Sequence, residues 1–201
     1  QYASDRESYL IIGSVFEGLF RIGADGNAEK AMAESYTVSD DGLTYNFKLK
    51  QDRYWTDVNG YNKKVTAADF VFGFRRLFLP ETRAPKASEY FCIKNSDKIN
   101  SGEITDLSQL GVTAQGDYSL TIELQYTEPS FAMLLAMPAA MPCNEEYFIK
   151  AQGKYGLDAE RTASNGPFYV KTWNYDAWSN NNNNLVLRYS DKYNEHDEVT
   201  P

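Results

Sequence analysis

The alternation of apolar and polar positions is sharpest over residues 34–50, ESYTVSDDGLTYNFKLK. Tyr36 and Val38 alternate with polar neighbours, and Asp41-Gly42 is a tight-turn dipeptide. Leu43, Tyr45, Phe47 and Leu49 then alternate with Thr44, Asn46 and Lys48. A period of two on either side of such a dipeptide predicts a half-buried antiparallel hairpin. A second hairpin is predicted where Val112 and Ala114 lead into a Gly-Asp turn and Leu120, Ile122 and Leu124 alternate beyond it. A third pair of strands starts after Asn165-Gly166-Pro167, which forces a turn. Phe168 and Val170 alternate there, and LVLRYS is the return strand. The run of five asparagines before that return strand reads as a solvent-exposed connector, too short for a prion-like tract.

Helical spacing marks other stretches. In VTAADFVFGFRRL, Thr66 suits an N-cap and Asp69 favours the positive end of the helix dipole. Phe70, Phe74, Leu77 and Phe78 share one face, and Pro80 stops the helix. Arg75 and Arg76 are adjacent, so they point about 100° apart and are not placed to grip one anion together. They read as a solvated flank of a core helix. Leu10, Ile11, Val15 and Leu19 are helically spaced in YLIIGSVFEGLFRI, with Gly18 breaking the pattern and GLFRI turning into a strand. Short helices are predicted at Glu89–Ile93, in PSFAMLLAMP and in NEEYFIKAQGKYG, the last ending near Gly153 or Gly156.

A chain of 201 residues suits one large domain or two small ones, and 42% hydrophobic content supplies a sizeable core. The net charge of −8, with no clustered Lys and Arg, argues against nucleic acid as a partner. No run of about eighteen apolar residues is present to span a membrane as a helix. The chain opens at Gln1 in a polar stretch, which fits a piece of a longer protein or one whose targeting segment has been removed. Cys92 and Cys143 match no zinc spacing. They are either two buried thiols or one disulfide of an extracytoplasmic protein.

Catalytic patterns are missing. His196 is the single histidine, and there is no phosphate loop, nucleophile elbow or zincin spacing. Paired carboxylates, as a hydrolase would use, are not readable from spacing. Trp55, Trp173 and Trp178, near loops, are candidates for lining a cleft or stacking on a sugar. Taken together, the residues indicate a soluble α+β globular protein that binds rather than catalyses, with no cofactor or metal.

The order of motifs goes further. VFEGLFRI, AESYTVSDDGLTYNFKLKQDRYW, VTAADFVFGFRRL, LGVTAQGDYSLTIELQYTEPSF and SNGPFYVKTW occur in sequence. Together they resemble the solute-binding proteins of peptide-transporting ABC importers, the oligopeptide/dipeptide-binding branch above all, over residues from about Arg6 to Val199. The resemblance implies an α+β (mixed α/β) fragment, the N-terminal portion of a two-lobed periplasmic-binding-protein-like fold. Residues 1–17 and 166–201 would be pieces of the first ligand-binding lobe and 18–165 an inserted extra domain, with the second lobe absent. It places Val65–Leu77 as a scaffold helix of the extra domain. It implies ligand contacts at Ser4, Asp5 and Arg6, an extended segment, and at Lys86, where some members carry an aromatic after an Ala/Ser-Pro step. The implied role is extracytoplasmic capture of peptides, as a monomer working with membrane permease and ATPase subunits. The protein would be either periplasmic or a cell-surface lipoprotein. Dipeptides, nickel chelates and sugars are the alternative solutes in the superfamily.

Overall fold

The computed structural model describes residues 5–175 and 183–193. In chain order they form α1 (Arg6–Val15), β1 (Phe20–Ile22), β2 (Ala28–Lys30), β3 (Ala33–Val38), β4 (Thr44–Leu49), β5 (Tyr54–Thr56), β6 (Asn62–Lys64) and α2 (Ala67–Phe78). There follow α3 (Ser96–Asn100), β7 (Val112–Ala114), β8 (Ser119–Glu123), α4 (Phe131–Leu134), α5 (Glu145–Lys150), β9 (Phe168–Asn174) and β10 (Asn184–Tyr189). This is the mixed α+β composition expected.

All three hairpins form. In the first, Tyr36 lies opposite Phe47 and Val38 opposite Tyr45. Gly42 takes φ +72, and its N–H donates to Ser39 O at 2.8 Å to close the turn. In the second, Val112 faces Ile122 and Ala114 faces Leu120. These two hairpins then join, because β4 also pairs with β8, setting Phe47 opposite Leu120. The result is one four-stranded antiparallel sheet in the order β3-β4-β8-β7. β3 is its edge strand, so Tyr36 and Val38 stay about 40% exposed while Phe47 and Leu49 are buried. The expected half-burial therefore holds for the inner strand and fails at the edge, although the Tyr36 ring stacks on Phe47 with centroids 5.7 Å apart. In the third hairpin Phe168 pairs with Tyr189 and Val170 with Leu187, with a bulge between Val186 and Leu187.

α2 packs on the sheet. Phe70, Phe74, Leu77 and Phe78 are all fully buried, as their spacing requires. At its start Asp69 Oδ2 accepts from the Thr66 backbone N–H at 2.8 Å, the carboxylate half of a capping box. The arginine reading needs correction. Arg76 is half-buried, with its guanidinium carbon 3.9 Å from the centre of the Phe148 ring and Nη1 3.3 Å from Cys143 Sγ. A guanidinium over an aromatic face is a packed group, not a solvated flank.

Three helix ends differ from expectation. α1 stops at Val15, where Phe16 turns extended, so Leu19 reaches the core from the following segment and not from a helix. α5 ends at Lys150, because Gln152 and Gly153 both take positive φ. At 89–93 a 3-10 turn over Ala87–Tyr90 stands in place of a helix, and Ile93 bridges to Leu124. Cys92 and Cys143 are buried free thiols, and burial pushes Cys92 up to about 11. Trp55 is fully buried, so it lines no cleft. Trp173 is partly exposed on β9, while Trp178, His196 and most of the asparagine run lie outside the described residues.

The apolar residues form two clusters. The larger holds the sheet, α2, Leu19, Phe20 and Trp55. The smaller joins Val15, Ala159 and Val170, with Phe16, Phe168, Leu185 and Leu187 packed against it. The chain passes from the smaller to the larger near Glu17 and returns near Asn165. Asn165 is buried where these passes meet. Its Oδ1 accepts from Glu17 N at 3.1 Å and its Nδ2 donates to Glu17 O at 2.8 Å. Gly166 N donates to Val15 O at 3.0 Å, and a Cβ on Gly166 would sit 2.9 Å from the Val15 carbonyl carbon. That explains the Asn-Gly step: the amide bridges the backbones, and only glycine fits beside it. Asn165→Ala strands two buried backbone groups and is expected to lower stability by about 2–4 kcal/mol. Urea unfolding checks this, and a loss within error of zero would show that the bridge is not holding the crossing.

Candidate ligand-facing surface

Of the four residues that the resemblance assigns to the ligand, Ser4 lies outside the described residues. Asp5 is the N-cap of α1, with extended backbone at φ −100, ψ 157. Its carboxylate accepts from Ser8 N and Ser8 Oγ, each at 2.8 Å, and these bonds, the backbone one foremost, hold its pKa below the usual value. Arg6 begins α1 and is exposed. The extended conformation thus runs through Asp5 and gives way to helix at Arg6.

Lys86 stands at the head of the 3-10 turn whose Ala87 and Tyr90 are buried. Those two anchors fix its backbone, while its side chain is partly exposed and Nζ donates to Glu89 Oε1 at 2.5 Å. The hydrogen bond to Glu89 is the main reason its pKa is raised, and Tyr9 of α1 adds to the shift. Burial, foremost, pushes up the Tyr90 hydroxyl, which donates to Leu134 O at 2.9 Å. The contact recorded for the Lys86 side chain is local, to Glu89 three residues on, and Asp5 is likewise held locally by Ser8.

Arg6 and Lys86 are basic and accessible, as are the acidic Asp5, Glu7 and Glu89. They offer hydrogen-bond donors and acceptors on short rigid elements. Among the described residues no group of three or more His, Cys, Asp or Glu is placed to hold a metal, and no helix is long and apolar enough to cross a membrane.

Sequence reading missed a polar cavity of about 440 Å³ between the 57–61 loop, α5 and the 159–161 turn. At its floor the buried Asp57 accepts from Asn59 N and Tyr61 N, and from Tyr147 Oη, each at 2.8 Å. Burial, foremost, pushes the Tyr61 hydroxyl up to about 12. The only sequence signal was the turn character of Asp57-Val58-Asn59-Gly60; its partners at 147 and 160 are too distant in sequence for spacing to reveal.

Residues 27–198 match the family described as bacterial extracellular solute-binding proteins, family 5. The chain is 35% identical over 190 residues to a dipeptide-binding protein of Lactococcus lactis, covering 94% of this chain and 33% of that protein. It superposes on the substrate-binding domain of an oligopeptide ABC transporter from Bacillus anthracis with a TM-score of 0.86 at 38% identity, covering 95% of this chain and 35% of the other. With Listeria monocytogenes OppA bound to peptide the TM-score is 0.87 at 31% identity, over 98% of this chain and 37% of that one. The chain thus spans about a third of the length of the relatives it matches. Matched along most of its length, and folded as its motif order implies, the chain belongs to the bacterial extracellular solute-binding proteins, family 5.

Proposed function

We propose that this chain is part of the extracytoplasmic subunit that captures oligopeptides for an ABC importer, either periplasmic or anchored at the cell surface by lipid. The observation that carries the reading is its likeness, over nearly its whole length, to a solved oligopeptide-binding protein with peptide in place. The extended backbone at Asp5 and the solvent-accessible side chains of Arg6 and Lys86 support ligand contacts at residues 4–6 and 86. Peptide backbone would pair with residues 4–6, and Lys86 would meet a side chain. Residues 1–17 and 166–201 belong to the first lobe and 18–165 to an inserted domain. The division of apolar residues into two clusters near these limits supports that partition. Function is capture, closure of a second lobe over the ligand and delivery to permease and ATPase subunits, without catalysis and as a monomer.

Native mass spectrometry of the full-length protein, purified without refolding and then denatured, tests the reading. A heterogeneous set of short peptides is the expected release. A single sugar or metal chelate, or no ligand at all, would move the function to another branch of the family.

A further inference from the structure

The chain has two Asn-Gly steps, Asn59-Gly60 and Asn165-Gly166, and the fold treats them in opposite ways. We propose that Asn59 is a site of spontaneous deamidation in the folded protein, while Asn165 is protected. In the reaction the Gly60 backbone nitrogen loses its proton and attacks Asn59 Cγ. The new N–C bond forms as the Cγ–Nδ2 bond breaks, and Nδ2 leaves as ammonia carrying that proton. Water then opens the cyclic imide at one of its two carbonyls, leaving either aspartate or isoaspartate at position 59. No oxidant, reductant or enzyme is needed, and the rate rises with pH because the attacking nitrogen must be deprotonated.

At Asn59 the geometry leaves the reaction open. Asn59 and Gly60 are both exposed at a loop tip. Gly60 has no side chain to obstruct ring closure, and even a Cβ there would meet nothing within 4 Å. The Gly60 N–H makes only a long bond of 3.3 Å to Asp57 O, and both contacts of the Asn59 amide, to Asp57 Oδ2 and Glu160 O, are 3.4 Å. Bonds of that length restrain weakly.

At Asn165 each requirement is blocked. The residue is buried, and its amide is held at both ends by the Glu17 backbone. The would-be nucleophile, Gly166 N, donates to Val15 O at 3.0 Å. The Val15 and Phe16 backbone lies 2.9–3.1 Å from where a Gly166 Cβ would stand, so Gly166 is packed closely against that backbone.

The product matters to the cavity described above. Isoaspartate adds a methylene to the backbone inside the turn that wraps Asp57. Either product puts a second carboxylate beside Asp57 and removes the amide that reaches Glu160 O. The Tyr147 hydroxyl still bridges Asp57 Oδ2 at 2.8 Å and Glu160 O at 2.9 Å, so the change is confined to the rim of the cavity.

The test is incubation of the full-length protein at mildly alkaline pH, native and in concentrated urea, followed by peptide mapping with isoaspartate detection. In the native sample Asn59 should convert at least about tenfold faster than Asn165, whose reaction waits on local unfolding. In urea the two rates should approach each other. Native conversion of both at similar rates, or retention of the Asn59 amide while the urea sample converts, would overturn the proposal.

Discussion

Asp69→Ala is expected to destabilise the chain by about 3–5 kcal/mol, the sum of a lost helix cap and stranded buried donors. Asp69 is buried and sits where three segments meet. Its Oδ2 accepts from Thr66 N at 2.8 Å and from the indole Nε1 of Trp55 at 3.1 Å. Its Oδ1 accepts from Asn144 Nδ2 at 3.0 Å. The carboxylate therefore caps α2, satisfies the fully buried Trp55 and holds the residue that starts α5. Alanine leaves the Trp55 N–H in the core with no acceptor. Asp69→Asn should cost less, because one oxygen remains. It still sets an amide N–H against Asn144 Nδ2, and Asn144 is kept from flipping by its Oδ1, which accepts from Tyr147 N and Tyr61 Oη.

The pH dependence carries a sign. Burial, the largest influence, raises the Asp69 pKa above 3.8, and its hydrogen-bond donors only partly offset this. The folded chain therefore holds the proton more tightly than the unfolded chain. That contribution is fully present below the unfolded pKa and is lost as pH rises through the folded one. The stability gap between wild type and Asp69→Asn should be widest in acid and narrow as pH rises past the folded pKa. Urea titrations across that range read it, and a gap that widens with pH would contradict the assignment.

Asp69 also shows what the sequence could and could not disclose. The helix was legible because its signals are local: a cap, a charge in the first turn and an apolar face repeating every three or four residues. The hairpins were legible for the same reason, since Asp41-Gly42 and the alternation beside it lie within one short stretch. What stayed hidden is contact between distant segments. Nothing near Trp55 says that its indole donates to a carboxylate fourteen residues on, so its place beside a polar loop suggested a cleft. Nothing in either hairpin says that Phe47 will face Leu120, a pairing that turns two hairpins into one sheet. The candidate ligand contacts at residues 4–6 and 86 were named through family likeness alone, because no local pattern marks them. Arg53 lies in a polar run, yet it is among the most buried side chains in the structure.

That burial sets the second large effect. Arg53→Met is expected to cost about 3–5 kcal/mol, because it breaks a buried ion pair and leaves the other charge in place. Arg53 Nε lies 3.4 Å from Glu17 Oε2, with the two side chains 1% and 4% exposed. Glu17 Oε1 also accepts from Tyr193 Oη at 2.8 Å, and the Arg53 guanidinium lies 5.0 Å from the Tyr193 ring centre. The pair thus joins three chain segments: the pass near Glu17, the approach to β5 and the turn after β10. Glu17→Gln should be milder, since Arg53 keeps Asp52 at 3.1 Å. The double variant should cost clearly less than the two singles added together, because the interaction between the two is lost only once. Strict additivity would mean that the pair carries no coupling. Hydrogen exchange gives an independent reading. The Tyr193 amide bonds to Ser190 O, and Ser190 N to Pro167 O. Both amides should exchange faster in Arg53→Met if the pair anchors this turn, and unchanged protection there would show that the turn is held without it.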